Sequence, residues 1–176
     1  MRQYLISLLV AVVSIAAPAT LAQSPSPAVH DPWQPLAFLI GTWEAKTGGG
    51  AAAAKVIGTY SFAPELSNHI LARHSGNASC KAPADFDCEH TDLLYLYPEG
   101  KTVEAIYFDN EGHVIHYDVT TPTPTSVVFL SDPAIPGPQF RLLYERKDSV
   151  LSGKFQMRMP GQSEFNSYLE WSGNKK

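Results

Sequence analysis

Two nearby cysteines are the first residues in this sequence that could do chemistry. His90 follows Cys80 and Cys88 closely, and Asp85 and Asp87 lie between the two cysteines. Thiolates, an imidazole and a carboxylate can together hold a zinc ion, so one interpretation is a metal site. In an oxidising compartment, two cysteines so close in sequence are more simply a disulfide. We therefore predict a disulfide that pins a loop, and no metal site.

Histidines are the next candidates, because imidazole serves as base, metal ligand or haem ligand. His113 and His116 fall on one predicted strand, where residues three apart point to opposite faces. They cannot grip the same metal ion. A site that pairs His113 with a histidine of a neighbouring strand stays open, since the sequence selects no partner. All six histidines precede residue 120, at positions 30, 69, 74, 90, 113 and 116.

An enzyme would need a nucleophile beside a base, or two positioned carboxylates. Asp109, Glu111 and Asp118 cluster around one predicted hairpin, but Asp-Asn-Glu-Gly is ordinary turn chemistry. The sequence contains no Gly-x-Ser-x-Gly elbow, no His-Glu-x-x-His motif and no phosphate-binding glycine loop. We predict no catalytic residues. An enzyme of unknown reaction remains an alternative, with an inward tyrosine and His113 as the first candidates.

The N-terminus predicts export. Arg2 precedes an apolar run from Leu5 to Ala17, and Thr20-Leu21-Ala22 fits a small-x-small cleavage site. Residues 1–22 are therefore predicted to be a signal peptide, and the mature chain to be secreted or periplasmic. Residues 23–35 are rich in proline and predict an extended lead-in. The remainder, 36–176, has the length of one domain.

The mature chain shows no second apolar segment long enough to span a membrane. The formal net charge of the whole chain is −4. Nucleic-acid binding calls for a basic stripe that neutralises phosphates, so we expect no nucleic-acid partner.

From Thr42 onward, short runs rich in Val, Ile, Tyr, Phe and Thr alternate with turn signals, which is typical of a sandwich or barrel. In the run that starts at Leu151, apolar and polar residues alternate strictly, so the predicted strand has one apolar face and one polar, solvent-facing face. Pro98-Glu99-Gly100 and Asp109-Asn110-Glu111-Gly112 predict tight turns. The fold we predict is all-β, an antiparallel up-and-down barrel of about ten strands with a short N-terminal helical turn closing its floor. The runs begin near Trp43, Val56, Ile70, Leu93, Val103, Val114, Val127, Phe140, Leu151 and Asn166.

Three connections are longer than the others. Gly48-Gly49-Gly50 leads into Ala51 to Ala54 and predicts a flexible, featureless loop. The Cys80 to Cys88 loop is expected to be pinned, and Pro133 to Pro138 to be stiff and extended. All three are candidates for the rim of a barrel mouth.

The segment from Leu36 to Glu44 reads Leu-Ala-Phe-Leu-Ile-Gly-Thr-Trp-Glu, which resembles the opening of nitrobindin-like barrels in the wider lipocalin-like, or calycin, group. The resemblance implies that a helical turn closes the floor and that Trp43 points inward as a plug. It also implies an arginine stacked on that tryptophan, and Arg73 is the candidate. Nitrobindin-like proteins bind haem through a histidine near their C-terminal strands. The last three predicted strands here contain none, so this ligand does not carry over.

A ten-strand barrel leaves room for a ligand unless large side chains fill it. The predicted inward faces are bulky and include Ile115, Phe140, Met159 and Trp171. We predict no cofactor, and non-enzymatic binding of a small, mostly apolar molecule inside the barrel. Haem or another tetrapyrrole is an alternative ligand, and a fully packed interior that acts through its rim loops is another possibility. The predicted ligand-binding residues are Tyr60, Phe62, Tyr107, His113, Tyr117, Tyr144, Phe155 and Met157.

Overall fold

The computed structural model describes residues 31–176, with the exception of the side chains at positions 77 and 78. The predicted signal peptide and most of the proline-rich lead-in lie outside the described residues. Within the described part of the chain, no helix is long and apolar enough to cross a membrane.

Ten β-strands and one turn of 3₁₀ helix make up the described chain, and every strand begins within two residues of its predicted start. The 3₁₀ turn covers Gln34–Leu36. The strands are β1 (Gly41–Gly49), β2 (Lys55–Glu65), β3 (Ile70–Lys81), β4 (Asp92–Glu99), β5 (Thr102–Asp109), β6 (Val114–Thr123), β7 (Ser126–Ser131), β8 (Gln139–Lys147), β9 (Val150–Arg158) and β10 (Asn166–Asn174).

The strands form a closed antiparallel barrel in which each strand pairs with its neighbours in sequence and β1 pairs with β10. This confirms the predicted up-and-down barrel. Closure leaves no unpaired sheet edge, which removes the surface on which flat sheets aggregate. In an up-and-down barrel alternate connections share an end, so the β1–β2, β3–β4, β5–β6, β7–β8 and β9–β10 connections all lie at one end of the barrel. We call this end the mouth and the other end the floor.

The floor is a packed apolar core. Trp33, Leu36, Leu39 and Trp43 are all fully buried. The indole N–H of Trp43 donates to the carbonyl of Leu39 at 2.7 Å, which ties the start of β1 to the segment before it. The inward position predicted for Trp43 is thus present. Trp33, which falls in the predicted lead-in, is also part of this core.

The cation above Trp43 is Lys175 rather than Arg73. The ammonium of Lys175 lies 5.7 Å from the centre of the indole ring. The guanidinium of Arg73 instead lies 5.6 Å from the centre of the Tyr60 ring. The arginine–tryptophan stack implied by the resemblance is therefore wrong, because Arg73 belongs to the interior of the barrel and the residue that follows β10 supplies the floor cation.

The glycine- and alanine-rich connection between β1 and β2 is more structured than predicted. The backbone N–H groups of Ala51 and Ala52 donate to the carbonyls of Ser167 and Tyr168 in β10. Gly50 has φ +101°, and a Cβ there would lie 2.3 Å from the carbonyl oxygen of Tyr168. The loop can therefore lie against β10 only because this position is glycine.

The predicted disulfide between Cys80 and Cys88 is confirmed. It closes the connection between β3 and β4 at the mouth. A disulfide indicates an oxidising environment, outside the cell or in the periplasm. Because both thiols are consumed, the alternative zinc site on Cys80 and Cys88 is wrong.

Replacing both cysteines by serine is expected to lower the free energy of unfolding by about 2 to 3 kcal/mol, because the closed loop is short. Urea unfolding of the C80S/C88S variant beside the oxidised parent protein measures the difference. An equal stability for the two proteins would contradict a constraining role for this bond. Reduction of the parent protein should reproduce the effect of the double variant.

Candidate functional site

The mouth end of the barrel contains a cavity of about 520 Å³. Pockets that hold small organic molecules are typically about 300–1,000 Å³. Most of the wall is aromatic or aliphatic, and the side chains of Phe140, Phe155, Met157 and Trp171 line it. The three longer connections predicted as the rim all reach this end, and Phe86 and Pro138 from two of them line the cavity. The interior is therefore packed at the floor and open at the mouth.

Six of the eight predicted ligand-binding residues line the cavity, and two do not. The lining residues are Tyr60, Tyr107, His113, Tyr117, Phe155 and Met157. Phe62 and Tyr144 are buried in the core below, with their rings 5.4 Å apart between centroids. Met159, predicted to point inward, is 48% exposed, because β9 ends at Arg158 and the alternation ends with it.

A buried ion pair lies on the cavity wall. Nη1 of Arg73, on β3, is 3.1 Å from Oδ1 of Asp92, on β4, and the two side chains are 9% and 10% exposed. The hydroxyl of Ser75 donates to the same carboxylate oxygen. Burial alone would raise the pKa of Asp92, but the guanidinium, the nearby imidazole of His90 and the hydrogen bond from Ser75 hold it well below its usual range. Asp92 is therefore a carboxylate at neutral pH.

A chain of polar contacts runs from this pair to the rim. Nε2 of His90 lies 3.7 Å from Oδ2 of Asp92 and 3.1 Å from the hydroxyl of Tyr107. That hydroxyl donates to Oδ2 of Asp109 at 3.3 Å, and Nδ1 of His113 lies 2.8 Å from the same oxygen. The carboxylate of Asp92, 3.7 Å away, raises the pKa of His90 above its usual value, although burial opposes the rise. Cationic His90 is thus favoured near these carboxylates.

Asp109 is fixed by its own turn. Its Oδ1 accepts the backbone N–H groups of Glu111 and His113 at 3.0 and 2.9 Å. This is the hydrogen-bonded turn that Asp-Asn-Glu-Gly favours. Asn110 joins this turn to the disulfide loop, because its amide donates to Oδ2 of Asp87 at 3.1 Å. The two rim segments are therefore held together.

Carboxylates dominate the charge of the cavity. Among the described residues that line it, Arg73 is the single lysine or arginine, and two histidines accompany it. Even with both histidines protonated, the carboxylates outnumber the cations by two. They are Asp85, Asp87, Asp92, Asp109 and Glu111.

Two sets of rim side chains bring possible metal-ligand atoms within 4.8 Å of one another. One set is Asp87, His90 and Glu111, and the other is Asp109, Glu111 and His113. Among the described residues, the set that contains His113 brings it together with two carboxylates and not with a histidine of a neighbouring strand. Exposed acidic groups are common without an ion, so we assign no metal to either set.

Among the residues that the structure describes, three buried polar atoms near the cavity have no hydrogen-bond partner. They are Nε of Arg73 and the hydroxyl oxygens of Tyr60 and Tyr144. The indole N–H of Trp171 lies beside the Tyr60 hydroxyl but can only donate, so it leaves the hydroxyl proton without an acceptor. Burial raises the pKa of Tyr60 to about 12, so its hydroxyl keeps its proton at physiological pH. Each of these groups is a donor without an acceptor.

Sequence reasoning missed the buried ion pair of this site and the serine beside it. Asp92 looks like an ordinary strand-starting residue, and Ser75 like an ordinary strand serine. The alternation of β3 could have revealed them, because it puts Arg73 on the same face as the apolar Leu71. A charged residue on an inward face requires a buried partner, and its identity depends on how β3 and β4 are paired.

Comparison of the sequence with models of known protein families finds no match, and comparison with curated proteins finds no similar sequence. The class of protein is therefore defined by the structure itself. It is a closed ten-strand antiparallel barrel, an architecture consistent with the calycin-like fold. The narrower likeness to nitrobindin-like proteins stays a prediction.

Proposed function

We propose that this protein is a non-enzymatic binding protein that holds a small, mostly apolar molecule inside its barrel. The cavity of about 520 Å³ carries the proposal, because its wall is chiefly aromatic and aliphatic. Burial of apolar ligand surface in such a cavity contributes roughly 25 cal/mol for each Å² removed from water. The chemistry-bearing side chains at the rim are already paired with one another, which favours binding over catalysis.

The haem alternative has less support. The two histidines at the mouth, His90 and His113, both lie within 4 Å of carboxylates. The strands β8, β9 and β10, which would carry the ligand in nitrobindin-like proteins, contain no histidine. Haem binding therefore stays a prediction of the resemblance.

The proposal predicts that a large side chain placed in the cavity weakens the binding of an apolar molecule. Leu142 lines the cavity on β8, whereas its neighbour Leu143 points to the outside of the barrel and pairs with Lys154 on β9. L142W is expected to weaken binding of a neutral apolar probe, N-phenyl-1-naphthylamine, by at least about ten-fold, or 1.4 kcal/mol. Titration of the probe fluorescence measures this loss.

The matched control is L143W, which adds the same ring on the outer face and should leave the probe affinity unchanged. Circular dichroism of both variants establishes that the barrel is folded. Equal affinities of L142W and the parent protein would show that the probe binds elsewhere. Native mass spectrometry of the purified exported protein would show any molecule that co-purifies in the cavity.

A further inference from the structure

The chemical class of the ligand can be narrowed by the donors without acceptors at the cavity wall. We propose that the ligand is uncharged and carries a hydrogen-bond acceptor, such as a carbonyl, at its leading end. That acceptor is received by Nε of Arg73 and the hydroxyl of Tyr60. This inference rests on the proposed function, since it concerns the same cavity.

Arg73 and Tyr60 are adjacent on the wall. They lie on the paired strands β2 and β3, and the guanidinium is 5.6 Å from the centre of the tyrosine ring. Both residues line the cavity, and they are 8% and 3% exposed. Their unpartnered atoms are out of contact with water, so the proposal requires these side chains to shift before a ligand acceptor can reach them.

An unmet buried donor destabilises the folded protein, and most such groups in folded proteins find a partner. Two neighbouring donors without an acceptor therefore favour an acceptor supplied from outside the chain. A ligand carbonyl has two lone pairs and can accept from both. A hydroxyl group of a ligand can accept as well, but it brings a donor that also needs a partner.

The charge of the cavity disfavours an anionic ligand. Asp92 already neutralises the guanidinium of Arg73 at 3.1 Å, so no unpaired positive charge awaits a carboxylate. An anion would also pass the rim carboxylates Asp87, Asp109 and Glu111. A cationic leading end would place an ammonium, which has only donors, against two further donors. An uncharged acceptor avoids repulsion by the carboxylates and can accept from both donors.

The test compares ligands with one chain length and different head groups. Displacement of N-phenyl-1-naphthylamine by 2-decanone, decanoate and decylammonium gives their relative affinities for the parent protein. We expect 2-decanone to bind at least about ten-fold more tightly than decanoate. Tighter binding of decanoate or decylammonium than of 2-decanone would overturn the inference. Failure of the probe itself to bind would instead contradict the proposed function.

The second arm removes one donor. Tyr60→Phe is expected to weaken 2-decanone binding by about three- to ten-fold, the effect of one hydrogen bond. The affinity for the hydrocarbon-like probe should stay the same. The melting temperature of the empty protein should not fall, because the lost hydroxyl has no partner in it. The inference fails if Y60F leaves 2-decanone binding unchanged or weakens the probe equally.

Tyr95→Phe is the matched control, since Tyr95 lies between the buried residues Leu94 and Leu96 on β4 and points outward. It should change none of these affinities. Arg73 is not replaced in this test, because its substitution would strand Asp92 without its counter-charge.

Discussion

Replacing Arg73 by methionine is expected to lower the free energy of unfolding by about 3 to 5 kcal/mol. The substitution leaves the carboxylate of Asp92 buried, 10% exposed, without the guanidinium 3.1 Å away. The loss comes from stranding that charge more than from the attraction itself. Urea unfolding at pH 7 measures it.

The double variant R73M/D92L separates the two contributions. Replacing a buried ion pair by apolar residues of similar size is often neutral, so the double variant should recover most of the lost stability. Lys154→Met is the surface control. Lys154 lies 3.5 Å from Glu170, and the two side chains are 50% and 34% exposed. Exposed ion pairs of this kind contribute less than about 1 kcal/mol. A double variant no more stable than R73M would contradict the stranded-charge explanation.

The Arg73–Asp92 pair makes the stability of the folded protein depend on pH in the acidic range. The pKa of Asp92 is lower in the folded protein than its ordinary value of about 3.9. A group of this kind contributes stability that is present in full above the ordinary pKa and is lost as the pH falls towards the folded pKa. Without the guanidinium, burial raises the pKa of Asp92 in R73M above the ordinary value, so the carboxyl of R73M takes up its proton at a higher pH than that of the parent protein. The stability difference between the two proteins should therefore already shrink as the pH falls from neutral towards about 4, and should shrink further below it.

Replacing Trp43 by alanine is expected to destabilise the barrel by about 3 to 5 kcal/mol, the usual range for a large buried aromatic residue. Trp43 is 1% exposed and fills the floor, so its removal leaves a void that the closed barrel cannot collapse around. The melting temperature should fall by on the order of 10 °C. Differential scanning calorimetry measures the shift.

Two comparisons test the explanation. Trp43→Phe keeps an aromatic ring but leaves the carbonyl of Leu39 without its indole donor, so a smaller loss of about 1 to 3 kcal/mol is expected. Trp171→Ala removes a ring that lines the cavity, where the lost contacts are fewer. If W171A were as destabilising as W43A, the floor would not be the main source of the barrel's stability.

Much of the fold could be predicted because its causes are local. Alternation along a run such as Leu151 to Met157 assigns an inward and an outward face, and tight turns such as Pro98-Glu99-Gly100 make sequence neighbours into strand neighbours. Two predictions were wrong where the structure depends on more than the local sequence pattern. Met159 continues the alternation in the sequence, but β9 stops one residue before it. The alanine-rich loop looked featureless because its hydrogen bonds go to β10, far along the chain.

The candidate site was predictable in its apolar part, its tyrosines and His113, but not in the buried ion pair of Arg73 and Asp92. Inward tyrosines and phenylalanines follow from strand period, and six of the eight predicted residues do line the cavity. Phe62 and Tyr144 also point inward, but their height along the barrel places them in the packed floor. Strand period gives the face of a residue and not its depth, which depends on the stagger of the strands around the barrel.

By itself, the sequence determined the class of fold, the disulfide and the apolar lining, because each depends on residues close together in the chain. It also determined that Trp43 begins the barrel at Gly41-Thr42-Trp43. The tertiary structure alone decided that Arg73 faces Asp92 and Tyr60 rather than Trp43, and that Glu111 lies near His90. Those contacts join residues that are far apart in the chain. They depend on the register and closure of the whole barrel, which no short stretch of sequence encodes.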